Sequence, residues 1–423
     1  MGAEPLRRQQ YSARVQPGRP LAEPVVCEYQ RTEVVADHAA HRNKAVTLRL
    51  ASRQDVNLLV FNLGMDAAHA TLGHTTAWTN ELARRCDHVS VITMFAGDLA
   101  VDDNVTVHSL GKELGRSEPR RLVEFYRLVG RVLDDRPIDA CFAHMAPLFT
   151  VLFAPVARRR GIPVLLWFAH TSVTSTLRVA HALADRCVTA TAASFPLPSD
   201  KLFVVGHGID TSLFRPPDKT APGYETTALS AGRITAIKRV GEMIEAVAIL
   251  HERGLDVSLE LIGGASTDAD RACQAELQGS VASLGVQRLV SFRGPVPFYA
   301  MPQHYHHGLL SVNLSDGAMD KAILESMASG CIPVSRNPAF RALARAERLE
   351  CLVPVPGAHG LADRIASVLA RGREDRPALI ARLRRIVSKE HSLSTLSDRI
   401  IGHLSELAQT SRGARRAWMR RAT

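Results

Sequence analysis

A chain of 423 residues with a hydrophobic share of 46% is long enough and apolar enough for two domains with their own cores. The net charge of +10 favours anionic partners, although an Arg-rich composition alone gives the same sign. Seven cysteines, an odd number with no CxxC pair, argue against a disulfide framework and for buried thiols in a reducing compartment.

Residues 1–55 are polar, rich in Arg and Pro and without a sustained period, so a partly disordered extension is expected. The first 25 residues contain no apolar core of a secretory signal. The apolar stretches Ala146–Val156 and Ile162–Ala169 are broken by prolines and by Arg158-Arg159-Arg160. They fall short of the roughly 20 residues that span a bilayer. A cytoplasmic location is therefore expected.

From Asn57, NLLVFNLG reads as a buried strand, MDAAHATLGHTT as a small-residue loop, Thr76–Arg85 as a helix and His88–Met94 as the next strand. A strand follows at Val105–Leu110, then a basic amphipathic helix at Pro119–Asp134. Ile138–Ala143 is a strand ending at His144, Leu148–Arg160 a helix, and Val164–Phe168 a strand ending near His170. A helix at Thr174–Asp185 and short strands at Arg186–Thr191 and Leu202–Val205 lead to Gly206-His207-Gly208.

The Pro/Gly-rich run Arg215–Thr227 is the expected interdomain linker. A second alternation follows: strand Ala228–Ala231, helix Arg239–Arg253, strand Val257–Ile262 closed by Gly263-Gly264, helix Ala269–Leu284 and strand Leu289–Phe292. A short helix at Tyr299–His306 precedes the strand SVNL, a turn at Ser315–Gly317, a helix at Lys321–Ala328 and a strand from Cys331. Helices at Gly360–Arg371, Pro377–Glu390 and Leu393–Gln409 and an Arg-rich tail close the chain. Two successive strand–helix alternations predict an α/β fold of two doubly wound domains. Their expected bounds are residues 56–215 and 216–390, with a C-terminal helix and basic tail at 391–423.

Several residues have the chemistry of a site. Arg233 and Lys238 follow a strand and precede a helix, where two cations and a helix dipole neutralise a diphosphate. They read equally as surface cations of a basic protein. Gly263 and Gly264 allow close backbone approach to a ligand, or form a plain turn. Glu325 can accept hydrogen bonds from a ribose diol, or pair with Lys321 at the i, i+4 spacing. His144 and His170 stand at strand ends, where α/β domains place working groups, yet a lone histidine is more often structural. Asp268 and Asp270, Asp102-Asp103 and Asp134-Asp135 sit in polar loops and helix ends, so no dedicated metal site is expected. No phosphate-binding GxxxxGK[ST] loop, HExxH or zinc spacing occurs.

Taken in order, KLFVVGHGIDTSLFRP, GRITAIKRVGEMIEAV, LELIGG, VSFRGPVP and LESMASGCIPV resemble the retaining family 4 glycosyltransferases of the GT-B fold. The resemblance spans residues 57–390. It implies two Rossmann-like domains facing across a cleft, an acceptor-side first and a nucleotide-sugar-binding second, with the C-terminal helix returning to the first. It implies transfer of a sugar from a UDP- or GDP-sugar co-substrate to a hydroxyl acceptor with retention. The setting would be bacterial glycan, glycolipid or secondary-metabolite biosynthesis, and no metal or further cofactor is implied. Arg233 and Lys238 would bind the diphosphate, Glu325 the ribose, and the backbone from Arg293 to Val296 the base. Gly73, in the loop Leu72–His74, would cover the phosphates, and His144 would touch the sugar. The family's first signature glutamate falls on Gly317. Asp316 is adjacent, and Asp320-Lys321 resembles an Asp-Lys pair of some bacterial branches, so Asp320 or the backbone would make the sugar contact.

Two other functions are weighed: a catalytically lapsed nucleotide-sugar-binding protein, supported by Gly317, and a GT-B nucleotide-sugar epimerase. Nucleic-acid binding ranks last, because aromatics are 5% and no recognition module occurs. The Pro119–Asp134 helix carries Arg120, Arg121, Arg127 and Arg131 among Leu122, Val123, Phe125, Tyr126 and Leu128. It suits an anionic bilayer and a lipid-linked acceptor, or a solvated helix with its apolar side in the core.

Overall fold

The computed structural model describes residues 54–218 and 222–422. Nearly all of the expected N-terminal extension lies outside them.

The first sheet is wholly parallel. Its strands are β1 (Gln54–Asn62), β2 (Cys86–Thr93), β3 (Val105–Ser109), β4 (Ala140–His144), β5 (Val164–Trp167), β6 (Arg186–Thr189) and β7 (Leu202–Val204). They lie in the order β3-β2-β1-β4-β5-β6-β7. Between them run α1 (His74–Ala83), α2 (Glu118–Asp135), α3 (Pro147–Arg160) and α4 (Ser175–Leu183). The centre of β1, Leu58–Phe61, is a continuous apolar run because both its faces are covered. Val56, Leu58 and Val60 pack towards α1, whereas Leu59 and Phe61 pack under α2, α3 and α4. Phe61 is ringed by Phe125, Phe149 and Phe153 at centroid distances of 5.5, 5.7 and 5.2 Å. The amphipathic face of α2 goes into this core through Phe125, Leu128, Val129 and Val132, leaving Leu122, Val123 and Tyr126 exposed.

The second sheet contains β8 (Thr227–Ala231), β9 (Ser258–Ile262), β10 (Val290–Gly294), β11 (Leu310–Asn313) and β12 (Ile332–Ser335), in the order β10-β9-β8-β11-β12. Its helices are α5 (Val240–Glu252), α6 (Asp268–Ser283), α7 (Met301–Tyr305), α8 (Lys321–Ala328), α9 (Pro338–Ala346), α10 (Ala358–Leu369) and α11 (Asp375–Ile386). α9 is absent from the sequence reading. It starts where Asn337 accepts hydrogen bonds from the backbone N–H of Ala339 and Phe340, at 3.0 and 3.1 Å, with Pro338 in the first turn.

α12 (Leu393–Ala422) leaves the second sheet and joins α1 on the first, burying Leu396, Ile400, Ile401 and Leu404 against it. It runs past the expected end at Gln409, so the Arg-rich tail is helical up to Ala422. The described residues fall within one compact unit. Ile209 and Phe214 already belong to the second core, upstream of the expected linker. The chain's outward and return crossings lie side by side. Ile209 N–H donates to the His391 carbonyl at 2.7 Å, and Leu393 N–H donates to the Ile209 carbonyl at 2.8 Å.

In each sheet the strand order reverses once, between β1 and β4 and between β8 and β11. Ligands of open α/β sheets bind at such switch points, beyond the carboxyl ends of the strands.

Candidate active site

A cavity of about 540 Å³ is lined by the loops of both switch points. That volume is in the range of small-molecule sites.

The second-half wall is built on the turn between β11 and α8. Asp320 caps α8, its Oδ1 accepting from Ala322 N–H at 3.3 Å. Its Oδ2 accepts from Asn313 Nδ2 at 2.8 Å and forms an ion pair with Lys238. Burial alone would raise this carboxyl, but Lys238, Asn313 and the α8 N–H outweigh it and hold it below the usual carboxylate range. Asn337 anchors the same turn from below. Its Nδ2 donates to the carbonyls of Ser315 and Ala318 at 3.1 and 3.0 Å. Sequence reasoning missed both asparagines. The Asn-Pro step at Asn337 is a legible helix start, but its link to the turn is tertiary.

Lys321 does not pair with Glu325. Its ammonium stands 4.8 Å over the ring of Trp78 on α1. Among the described residues no ion pair joins it to Glu325 within 4 Å. Burial pushes the Lys321 ammonium down and the Glu325 carboxyl up, their mutual attraction offsetting part of each shift. Tyr305 Oη donates to Glu325 Oε2 at 3.3 Å.

The loops after β8 and β9 meet as bare backbone. A Cβ on Gly263 would stand 2.0 Å from the Gly232 carbonyl oxygen, and φ there is +134°. Gly263 is thus required for loop packing, and Gly264 rests against Pro295. Neither lines the cavity. Arg233 and Lys238 do line it. Arg233 is exposed and has no hydrogen-bond or ion-pair partner among the described residues.

On the first-half wall, His144 ends β4 with only 6% of its surface exposed. Its ring lies 4.5 Å from Trp78 and 5.8 Å from His74, centroid to centroid. Burial, with Lys321 adding, pushes its pKa down to about 3, so it is neutral near pH 7. Burial, Lys321 and His144 likewise push His74 down. Gly73 approaches the second half: a Cβ there would be 2.7 Å from Phe298 Cβ. His170 lines the cavity and accepts at Nδ1 from Ser172 N–H at 3.0 Å. His207, which sequence reading passed over as part of a glycine turn, lines it too.

The cavity thus brings together His144, Arg233, Lys238, Asp320, Lys321 and Glu325. It does not include Gly73, Gly263, Gly264, Arg293, Val296 or Asp316. Asp316 is held by Arg239, whose Nη2 lies at 2.7 Å. Arg293 donates to Glu260 Oε1 at 2.6 Å, and Val296 packs on the second core. Gly317 has φ +122°, a turn conformation that a glutamate would adopt only with strain. Asp268 pairs with Arg271, and Asp270 completes the capping box of α6.

Two Rossmann-like sheets with a cleft at facing switch points define the GT-B fold. Residues 225–371, from the start of the second sheet to the end of α10, match the family model described as "Glycosyl transferases group 1". Solved structures of similar fold include Anabaena HepE in complex with UDP and glucose, at 17% identity and a TM-score of 0.62, covering 83% of this chain and 100% of that one. Sucrose-phosphate synthase of Thermosynechococcus elongatus is similar at 15% identity and a TM-score of 0.60, over 87% of this chain and 100% of that one. The N-terminal domain of Candida albicans trehalose-6-phosphate phosphatase gives a TM-score of 0.64 at 11% identity, over 84% and 100%. No curated protein sequence matches the chain.

Proposed function

We propose that the protein is a retaining glycosyltransferase that moves a sugar from a UDP- or GDP-sugar to a hydroxyl acceptor. One observation carries this reading. Arg233, the Lys238–Asp320 pair, neutral His144 and Glu325 all line one cavity. Arg233 and Lys238 supply the positive charge that a departing diphosphate needs, in a partly enclosed site where such charge counts most. The diphosphate draws Lys238 from Asp320, and the released carboxylate faces the sugar as positive charge develops there. Neutral His144 hydrogen-bonds a sugar hydroxyl, and Glu325 accepts from the ribose diol. The bond from the anomeric carbon to the phosphate oxygen breaks while the bond to the acceptor oxygen forms on the same face. The acceptor's proton passes to the leaving phosphate oxygen, so no side chain is required as base.

The acceptor side belongs to the first half, and a lipid-linked acceptor in bacterial glycan or glycolipid synthesis is consistent with the exposed Leu122, Val123 and Tyr126 on α2. With the arginines around them, they suit a protein in the cytoplasm that touches an anionic membrane surface. Co-sedimentation with vesicles that is indifferent to anionic lipid dismisses this contact.

The test is a thermal-shift screen of nucleotide sugars, followed by product analysis by NMR with an acceptor panel. A new glycosidic bond with the donor's anomeric configuration supports the proposal. Nucleotide binding with neither transfer nor donor hydrolysis indicates a lapsed binding protein, and conversion of one free nucleotide sugar to its epimer indicates an epimerase.

A further inference from the structure

Outside the cavity, β9 carries one carboxylate in an apolar run. Glu260 is only 8% exposed, between buried Leu259 and Leu261. A carboxylate in such a place requires partners for both oxygens. Oε1 has one, since Arg293 Nη2 donates to it at 2.6 Å. Oε2 accepts no hydrogen bond among the described residues. What faces it is a pair of histidines one helical turn apart, His304 on α7 and His307 just beyond. His307 Nδ1 lies 3.8 Å from Oε2. His304 Nδ1 is buried and, among the described residues, has no hydrogen-bond partner either. One donor atom from each of Glu260, His304 and His307 lies within 4.8 Å of the other two. His306, between them, turns away and bonds the Arg215 carbonyl at 2.7 Å.

We infer that Glu260, His304 and His307 form a binding site for a divalent transition-metal ion of the zinc class. Two imidazoles and a carboxylate are the donor set such an ion takes, at about 2.0–2.2 Å from each atom. Ligand atoms around a tetrahedral ion stand roughly 3.3 Å apart, so closure needs a small inward movement. The half-exposed His307 ring can supply it. Arg293 holds Oε1 and leaves Oε2 directed at the histidines, the kind of outer contact that orients a metal ligand.

The ion ties α7 to β9. The segment it fixes carries Phe298 and Met301, both of which line the cavity. Phe298 packs edge-on against Phe214 at 5.4 Å between centroids and meets Gly73 of the first half. The ion is therefore a clasp on one cavity wall, off the reaction path and independent of the reaction proposed above.

The experiment uses the full chain stripped with a chelator and titrated with zinc chloride by calorimetry, and separately with cobalt(II) by visible absorption. The expected result is one saturable site, a cobalt spectrum of tetrahedral type and a rise in melting temperature with zinc. His307→Ala, at an exposed ring, is expected to weaken that binding at least tenfold and abolish the rise, while its metal-free melting temperature equals that of the wild type. His304→Ala is expected to do the same to the metal response, and His306→Ala to leave it unchanged. Equal zinc uptake by the wild type and His307→Ala overturns the site, because the metal then binds elsewhere. So does a wild type that shows no saturable binding, because Glu260 is then satisfied by Arg293 and His307 alone.

Discussion

Lys321 extends from α8 across the cleft and sets its ammonium 4.8 Å above the ring of Trp78 on α1. A cation over an indole face is worth about 0.5–2 kcal/mol depending on its exposure to water. It joins the two halves, and it also places a positive charge beside His144 and His74, opposing their protonation.

Replacing Lys321 by Met is therefore expected to raise the pKa of His144 from about 3. The value stays below 6.5, because burial is the larger cause of the shift. Histidine resonances followed by NMR against pH measure this directly. An unchanged His144 would show that Lys321 does not stand over Trp78 in solution.

Arg233 and Lys238 face the same cavity but differ in what their removal exposes. Arg233→Ala strands nothing, so its melting temperature is expected to equal that of the wild type while affinity for a nucleoside diphosphate falls roughly 10-fold or more. Lys238→Ala leaves Asp320 half-buried without its cation. It is expected to lose about 1–3 kcal/mol of stability as well as affinity. Asp320→Asn on top of Lys238→Ala restores most of that stability and none of the affinity. Denaturant titrations beside calorimetry with UDP and GDP separate the two effects.

Stability is expected to fall on the acid side of pH 6.5. Burial drives the pKa of His144 down to about 3 and that of His391 to about 4, and His207 is pushed down as well. The unfolded chain binds protons at these sites from 6.5 downward while the folded chain does not. Their contribution is complete above 6.5 and is lost as pH falls towards the folded values, by about 1.4 kcal/mol per histidine per pH unit at most. Glu325 works the other way. Its raised pKa contributes stability that is present below 4.5 and lost as pH rises through the folded value. One carboxylate against three histidines leaves the acid slope in place. Urea titrations at pH 7.5 and 5.5 give the slope, and Glu325→Gln is expected to steepen it.

Asn337→Ala removes the α9 cap and three hydrogen bonds that pin the turn before α8. The expected cost is about 2–3 kcal/mol, a cap plus stranded carbonyls. If the proposed reaction holds, KM for the donor rises with it. A variant as stable as the wild type would remove Asn337 from the support of the site.

The fold was legible because its signals are local. The run Leu58–Phe61 in β1 is apolar without alternation, as a strand covered on both faces must be, and α8 begins and ends within one residue of the pattern around Asp320 and Ser329. The cavity lining was legible where it follows strand ends, at His144 and after β8 and β11. It was illegible where a partner comes from far along the chain. Asp316 belongs to Arg239, Lys321 to Trp78 and Glu260 to Arg293, and no local spacing announces any of these pairs. Gly263 shows the same limit from the other side. Its glycine is required by the Gly232 carbonyl, a backbone neighbour from a different strand.

The paired crossings at Ile209 and His391 have a mechanical consequence. Segments tied by two backbone hydrogen bonds cannot slide past one another without breaking both. A relative motion that keeps both bonds must pivot at that tie rather than shear across it. Trp78 is anchored close to the tie, its indole N–H donating to the Gly208 carbonyl at 3.1 Å. Lys321 reaches Trp78 from the other sheet, so a pivot at the tie that parts the cleft walls would separate the ammonium from the ring. The Lys321–Trp78 contact and the tie at Ile209 are thus two separate fastenings between the halves, one of backbone hydrogen bonds and one of a cation on a ring.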